Sequence, residues 1–489
     1  MIGNLAGIGI MEKLYHGVPL EKTLSPWYSI DAMAIPYMRQ LNEGPVNAQI
    51  LRLSVPTMVG MLLQAVYDLV DMVWIGFISP AAIAAATLFS TLFWLVEVLN
   101  EIVGTSSVAL ISQSYGSGDL ERTSRIAQQT LTFKFLVALV GAAFLAITLD
   151  PLLRFFTNDA QVVAYGMEYG LIRVVFLPLF FSSYSVNTIF RCTGDAKTPM
   201  RLLAGTALLN MIADPLFMFS TIPGTSIPGF GLGMRGAAIA TVLSITVAFV
   251  VGFILLLKGK ASVTIRISQL FRLEITIMAK LFTIGLPSGI TLLLRNLSIT
   301  IFLKMVALYG TGAIAVAGVA FRIYSFGMMP GWGLMMGSGI VIGHSLGSRD
   351  LDRARDAVRI STLDCLIFVG VIAVAILAFP NKLLALFMGG SSVPSEGTSL
   401  MYVVGIALFV GAAMSGMGAA FTGAGMNRPL LWASLFGQWG VLVPWALVVG
   451  LLIEVPIVWL WVALLGGDVA ELWFRRHLYM KTNWISHRV

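Results

Sequence analysis

The sequence predicts an all-α polytopic membrane protein, with twelve transmembrane helices in two pseudo-symmetric six-helix lobes. Three observations carry the prediction. Apolar runs long enough for the ~20 residues of a membrane-crossing helix recur along the chain. Arg and Lys collect in alternate loops between them. A set of landmarks also returns after about 231 residues.

The chain has 489 residues, of which 57% are hydrophobic and 11% charged, with a mean hydropathy of +0.88. A soluble domain carries about 25% charged residues, and so few charges could not cover a soluble surface of this size. Barrel strands alternate polar and apolar residues; the continuous runs here exclude a transmembrane barrel. The net charge of +7 lies in short loops between spans and signals topology, with no nucleic acid as partner. Cys192 and Cys365 form no disulfide framework.

In chain order, residues 1–50 form a cytoplasmic extension without the basic region or cleavage site of a signal peptide. Twelve spans follow at about 53–78, 82–110, 127–149, 162–186, 200–220, 236–257, 281–306, 312–342, 361–380, 399–422, 430–452 and 455–474. The eighth is too long for one straight helix, and Pro330, Gly331 and Gly333 offer a bend. One set of loops and termini holds 23 Arg and Lys and the other 3, which places both termini in the cytoplasm of a plasma-membrane protein. LRLSVPTMVGMLL at 51–63 matches LFTIGLPSGITLLL at 281–294, SYGSGDLER from Ser114 matches SLGSRDLDR from Ser345, and FRCTGDAKTP matches AFTGAGMNRP. The units are a first lobe at 51–258, a linker at 259–280, a second lobe at 281–474 and a tail at 475–489. Six spans per unit return the chain to its starting side, so the lobes share an orientation about an axis along the membrane normal. Such a pair suits an alternating-access carrier that works as a monomer.

The stretch Pro56–Gly76 is the centre of the functional reading. It carries Gln64, Tyr67, Asp68 and Asp71 on one helical arc, and carboxyls within a span must face protein or a water-filled cavity. At the repeat offset Asp71 corresponds to Phe302 and Asp214 to Pro444, so the acids belong to the first lobe. In the second lobe Asp364, Glu454, Asp468 and Glu471 fall toward span ends by these boundaries. Counting ~1.5 Å per residue puts Asp71, Asn210, Asp214, Tyr169 and Thr241 in one layer of the outer half, where their oxygens suit Na⁺ or a proton. Pro56 and Pro215 are candidate hinges, since each removes a helix hydrogen bond. Glu97, Asn100 and Glu101 form a separate group in the inner half, either bracing the lobe or serving a proton route. Asp68 has five in-span basic residues as candidate partners: Lys134, Arg173, Arg295, Lys304 and Arg322.

There is no GxxxxGK[ST] loop, so no ATP-driven pump, and no HExxH, CxxC or GxSxG. The chain is expected to be no enzyme and to need no cofactor beyond a coupling H⁺ or Na⁺. GSGD at Gly116 is a helix-connecting turn.

The two six-span repeats, VYDLVDMVWIG, the GDAKTP loop and NMIADP at 210–215 together resemble the multidrug and toxic compound extrusion (MATE) transporters, over nearly the whole chain from residue 50. Within that family the similarity is to the DinF-like branch. The resemblance implies a cation-binding and coupling site made of Asp71, Asn210, Asp214, Thr241 and Tyr169, with Asp71 and Asp214 as ligands of Na⁺ if Na⁺ is the coupling ion. Tyr67, Gln64, Asn187 and Pro56 match that branch as well, and Asp68 and Glu97 extend the polar network toward the substrate cavity. Arg295 stands where the NorM-like branch has an acid. The implied activity is export of small amphipathic, often cationic compounds in exchange for H⁺ or Na⁺. The alternative is a flippase for lipid-linked or lipidic substrates, which would need a wide cationic cavity; Arg295 and Arg322 are its candidates.

Overall fold

The computed structural model describes residues 44–387, 395–451 and 455–489; most of the N-terminal extension at 1–50 and Glu454 lie outside them. The described chain is helical apart from one isolated bridge, Thr221 to Pro228. The first lobe contains α1 (Val46–Gly76), α2 (Pro80–Gly116), α3 (Leu120–Phe156), α4 (Ala160–Val175), α5 (Leu177–Cys192), α6 (Lys197–Met218) and α7 (Gly233–Leu257). The second contains α8 (Ile275–Ala307), α9 (Thr311–Gly347), α10 (Leu351–Ala378), the short α11 (Pro380–Phe387), α12 (Ser395–Ala424), α13 (Arg428–Ser434), α14 (Val443–Leu451) and α15 (Val458–Lys481).

Among the described residues nine helical segments are long and apolar enough to cross a membrane, and α4 with α5 makes a tenth. The remaining two, α6 and α15, are long enough at 22 and 24 residues but more polar, which brings the total to the twelve expected units.

Three elements depart from the expected spans. The fourth is broken at Phe176 and bent by 53°. Pro178 explains the break: it lacks an N–H and its ring clashes with the carbonyl four residues back. The eighth, α9, runs unbroken through Pro330. Its glycines serve close packing instead, as a methyl on Gly333 would sit 2.4 Å from Met58. The eleventh contains a π-helical stretch, Leu435–Leu442, between α13 and α14.

The repeated turn has the same construction in both lobes. Asp119 and Asp350 each cap a helix by accepting from the N–H three residues on, at 2.9 and 3.0 Å. Gly118 and Arg349 occupy the same left-handed position, at φ 82° and 66°; only the glycine does so without steric cost.

The loops rich in Arg and Lys mark one end of the molecule, the basic end. The lobes meet in the half nearest it. Gly116 of α2 abuts the backbone of His344 of α9, Gly347 abuts that of Gln113, and Gly337 abuts Ser54 of α1. Gly285 of α8 lies against the Ile102 carbonyl of α2. One apolar core cluster spans both lobes here, from Ile50 and Leu110 to Val341 and Phe421. The other half of the first lobe has its own cluster around Phe89, Leu149 and Met234. Beyond Gly333, the same stripe of α9 continues into exposed Phe326 and Arg322, and that of α1 into Leu62 and Leu69. The two helices therefore part, leaving a cleft open at the end opposite the basic one.

Candidate functional site

The ends of α1 and α6 away from the basic end carry the two acids. Asp71 is five residues from the end of α1 and Asp214 four from that of α6. Pro215 therefore lies in the last turn of α6, where it shapes the helix terminus, while Pro56 lies within the unbroken α1. The loop after α6 grips that terminus. Phe230, Gly231 and Leu232 donate their N–H groups to the carbonyls of Leu216, Phe219 and Phe217 at 2.9–3.0 Å. Gly236 starts α7 so close to Phe217 that an added methyl would lie 2.5 Å from its oxygen. This contact holds α7, and with it Thr241, beside Asp214.

Four helices bring their side chains into one buried layer. Asp71 is 7% exposed, and Asp214 and Asn210 are 0%; both acids face protein rather than lipid. Asn210 Nδ2 donates to Asp214 Oδ1 at 2.9 Å. The Tyr169 hydroxyl donates to Asp71 Oδ2 over a long 3.4 Å. Asp214 is near enough to Asp71 and Tyr169 to interact electrostatically with both. Tyr67 is buried beside Thr241 and lies in the field of Asp71. Thr241 also donates to the Ala237 carbonyl at 3.0 Å.

Three acceptor oxygens of this layer are buried without a partner: Asp71 Oδ1, Asp214 Oδ2 and Asn210 Oδ1. Buried acceptors without donors are costly, and a carboxyl pair facing them adds like-charge repulsion. A proton or a hard monovalent cation relieves both. Among the described residues no group of three or more His, Cys, Asp or Glu is placed to hold a metal ion. A cavity of about 10 Å³ beside Arg173 and Thr241 is at the lower limit for one water.

Arg173 is the member of the site that sequence reasoning did not place. Its guanidinium donates to the Tyr169 hydroxyl at 2.7 Å. It also lies 5.2–5.4 Å from the ring centres of Tyr169, Phe89 and Phe93. Its spacing of four from Tyr169 was the available signal. Asp68 forms no ion pair among the described residues; it is exposed and accepts from Gln64 Nε2 at 3.0 Å.

Glu97 and Asn187 lie apart from the acid pair. Asn100 Nδ2 donates to Glu97 Oε1 at 2.5 Å. The buried Lys134 interacts with both Glu97 and Glu101 and lies 5.8 Å from the Tyr184 ring centre. Asn187 is buried on α5, three residues beyond Tyr184, with no hydrogen bond to the acid pair.

The second lobe corrects two boundaries, the first being that of the ninth span, where Asp364 is buried midway along α10. The twelfth span runs to Lys481, so Asp468 and Glu471 are mid-helix and buried, not at a span end. Arg295 lies 3.9 Å from Asp468 and 3.7 Å from Glu471. Arg475 also pairs with Glu471, and Gln438, in the π-helical stretch, donates to both acids. These carboxylates contact guanidinium groups directly, whereas Asp71 has the Arg173 guanidinium only in its electrostatic field and Asp214 has Asp71 as a like-charged neighbour.

The MatE family model matches residues 56–216 and again 287–448, starting each time at the repeated proline. "Probable multidrug resistance protein YoeA" of Bacillus subtilis (strain 168) is 28% identical over 422 residues, covering 83% of this chain and 88% of that protein. "Multidrug export protein MepA" of Staphylococcus aureus (strain MRSA252) is 23% identical over 386 residues, covering 78% and 81%. The outward-facing structure of a multidrug resistance MATE family transporter of the MOP superfamily has a TM-score of 0.82 to this chain. It is 24% identical and covers 91% of this chain and 98% of its own, which establishes the shared fold.

Proposed function

Since this chain belongs to the MatE family, we propose that it exports small amphipathic, often cationic compounds from the cytoplasm in exchange for H⁺ or Na⁺. The observation that carries this reading is the pairing of Asp71 and Asp214, two buried acids from separate helices with an unpartnered oxygen on each. The multidrug functions in the names of its relatives support the substrate class. The basic end is the cytoplasmic one in a plasma-membrane protein, so the cleft opens outward and the acids lie in the outer half. Each copy holds a complete site, which suits a monomer.

The coupling ion binds between Asp71 and Asp214 from the cleft side. Neutralising the pair removes its repulsion and changes the hydrogen bonds of Asn210 and Tyr169. Strain then passes down α1, whose Pro56 is the weak point, and the cavity contracts around the substrate. The ion drives the exchange only if it binds the two conformations unequally, since equal binding shifts nothing. The flippase alternative needs a broad cationic cavity. Arg295 is engaged by Asp468 and Glu471, leaving Arg322 as the exposed arginine of the cleft, which favours the drug exporter.

The test is efflux of a cationic dye from proteoliposomes under an imposed pH or Na⁺ gradient. Wild type is expected to respond to one of the two gradients, and Asp71→Asn and Asp214→Asn to neither. Gradient-driven efflux that survives both substitutions contradicts the assignment.

A further inference from the structure

A second recess lies on the lipid-facing flank, away from the acid pair. It is a cavity of about 490 Å³ between the lobes, lined by Ile102 and Val103 of α2, Phe133 and Val137 of α3, and Ala279 and Phe282 of α8, among others. Its lining is wholly apolar. It lies in the half nearest the basic end, so it opens into the leaflet on that side. Water gains nothing there, because a dry apolar cavity takes up an apolar guest. In a bilayer the guest at hand is an acyl chain.

The rim of the recess names the rest of that molecule. The segment before α8 is strapped across the end of α3. Gln129 Nε2 donates to the Arg272 carbonyl at 2.6 Å, the Glu274 N–H donates to Gln129 Oε1 at 3.0 Å, and Thr132 donates to the Leu270 carbonyl at 2.7 Å. Phe271 and Ile275 on this strap are 81% and 76% exposed. That is the disposition of a segment seated in a membrane interface. Arg272 and Lys280 are exposed on the same stretch, and Glu274 is its one carboxylate. Basic groups beside an apolar recess at a membrane surface bind anionic headgroups.

We propose that this recess is a binding site for an acidic phospholipid, with one acyl chain between α3 and α8 and the headgroup phosphate on Arg272 and Lys280. Its walls come from both lobes, and Ile102, which lines it, also carries the close contacts to Gly285 and Gly289 of α8. A lipid seated there props the lobes in the arrangement closed at the basic end, and so biases which conformation is populated. The site is independent of the ion and drug assignments.

The experiment is native mass spectrometry of the full chain in non-ionic detergent. It is titrated separately with 1-palmitoyl-2-oleoyl phosphatidylglycerol, the corresponding phosphatidylcholine, and palmitate. Phosphatidylglycerol is expected to be retained most strongly, as one bound copy. Arg272→Gln with Lys280→Gln should weaken it about thirtyfold, as two interfacial charges are lost, while Lys382→Gln at the other end changes nothing. Ala279→Trp should fill the recess and abolish retention; Val137→Trp provides the same test from the opposite wall if the first variant does not yield monodisperse protein. Equal retention of the two phospholipids, palmitate binding as tightly as phosphatidylglycerol, or retention by a folded Trp variant would each overturn the proposal.

Discussion

Gly285→Ala tests the closure at the basic end. The added methyl would lie 1.7 Å from the Ile102 carbonyl oxygen. A carbon normally approaches such an oxygen to about 3.3 Å, so α8 and α2 must separate by roughly 1.5 Å. Overpacking of this kind costs about 1–3 kcal/mol. The cost falls on the conformation in which the two lobes touch at this point. It shifts the balance away from that conformation by about 5- to 150-fold, at tenfold per 1.4 kcal/mol. Spin labels at the exposed positions Arg125 and Arg359, on the two lobes at the basic end, report the change by electron–electron double resonance. The wild type should give a short, dominant distance, and Gly285→Ala a longer population at its expense. Gly205→Ala, whose methyl meets nothing within 4 Å, should reproduce the wild type. An unchanged distribution in Gly285→Ala would refute the claim that this contact closes the lobes.

Three further outcomes follow from the site and its supports. Tyr169→Phe removes both the donor to Asp71 and the acceptor of Arg173; gradient-driven efflux should fall at least about tenfold while unfolding stability drops by only about 1–3 kcal/mol, the cost of orphaning buried polar groups. Gly236→Ala places a methyl 2.5 Å from the Phe217 carbonyl oxygen, so it should displace α7 and Thr241, weakening coupling in the same assay along with a stability loss of about 1–3 kcal/mol. Arg295→Met takes a half-buried counter-charge from the buried Asp468 and Glu471 and should lower thermal stability by about 1–3 kcal/mol, whereas Arg322→Gln, exposed and without an ion pair among the described residues, should stay within about 0.5 kcal/mol of wild type.

The depth of the acid layer was readable because helix rise converts residue number into height. Asp71, Asp214, Tyr169 and Thr241 could therefore be placed together before any packing was known. The turn at Asp119 was readable as well, because capping chemistry is local and the chain repeats it at Asp350. Which helices face each other is not local information. For that reason the sequence offered Arg173 to Asp68, while the folded chain directs it to Tyr169. The end of the twelfth span was misread for a different reason. Apolarity stops at the charges of FRRHLYMK, but the helix continues, and its extra turns make Asp468 and Glu471 central. Pro178 was a visible signal for the broken fourth span. The π-helical stretch at Gln438 has no comparable mark in the sequence.

The most direct measurement is the number of coupling ions bound per chain, by Na⁺ titration calorimetry and by proton release into weakly buffered solution. One ion, H⁺ or Na⁺, should bind to the wild-type chain and none to Asp71→Asn or Asp214→Asn. A full ion retained by either folded variant would mean that the two carboxyls do not hold it between them.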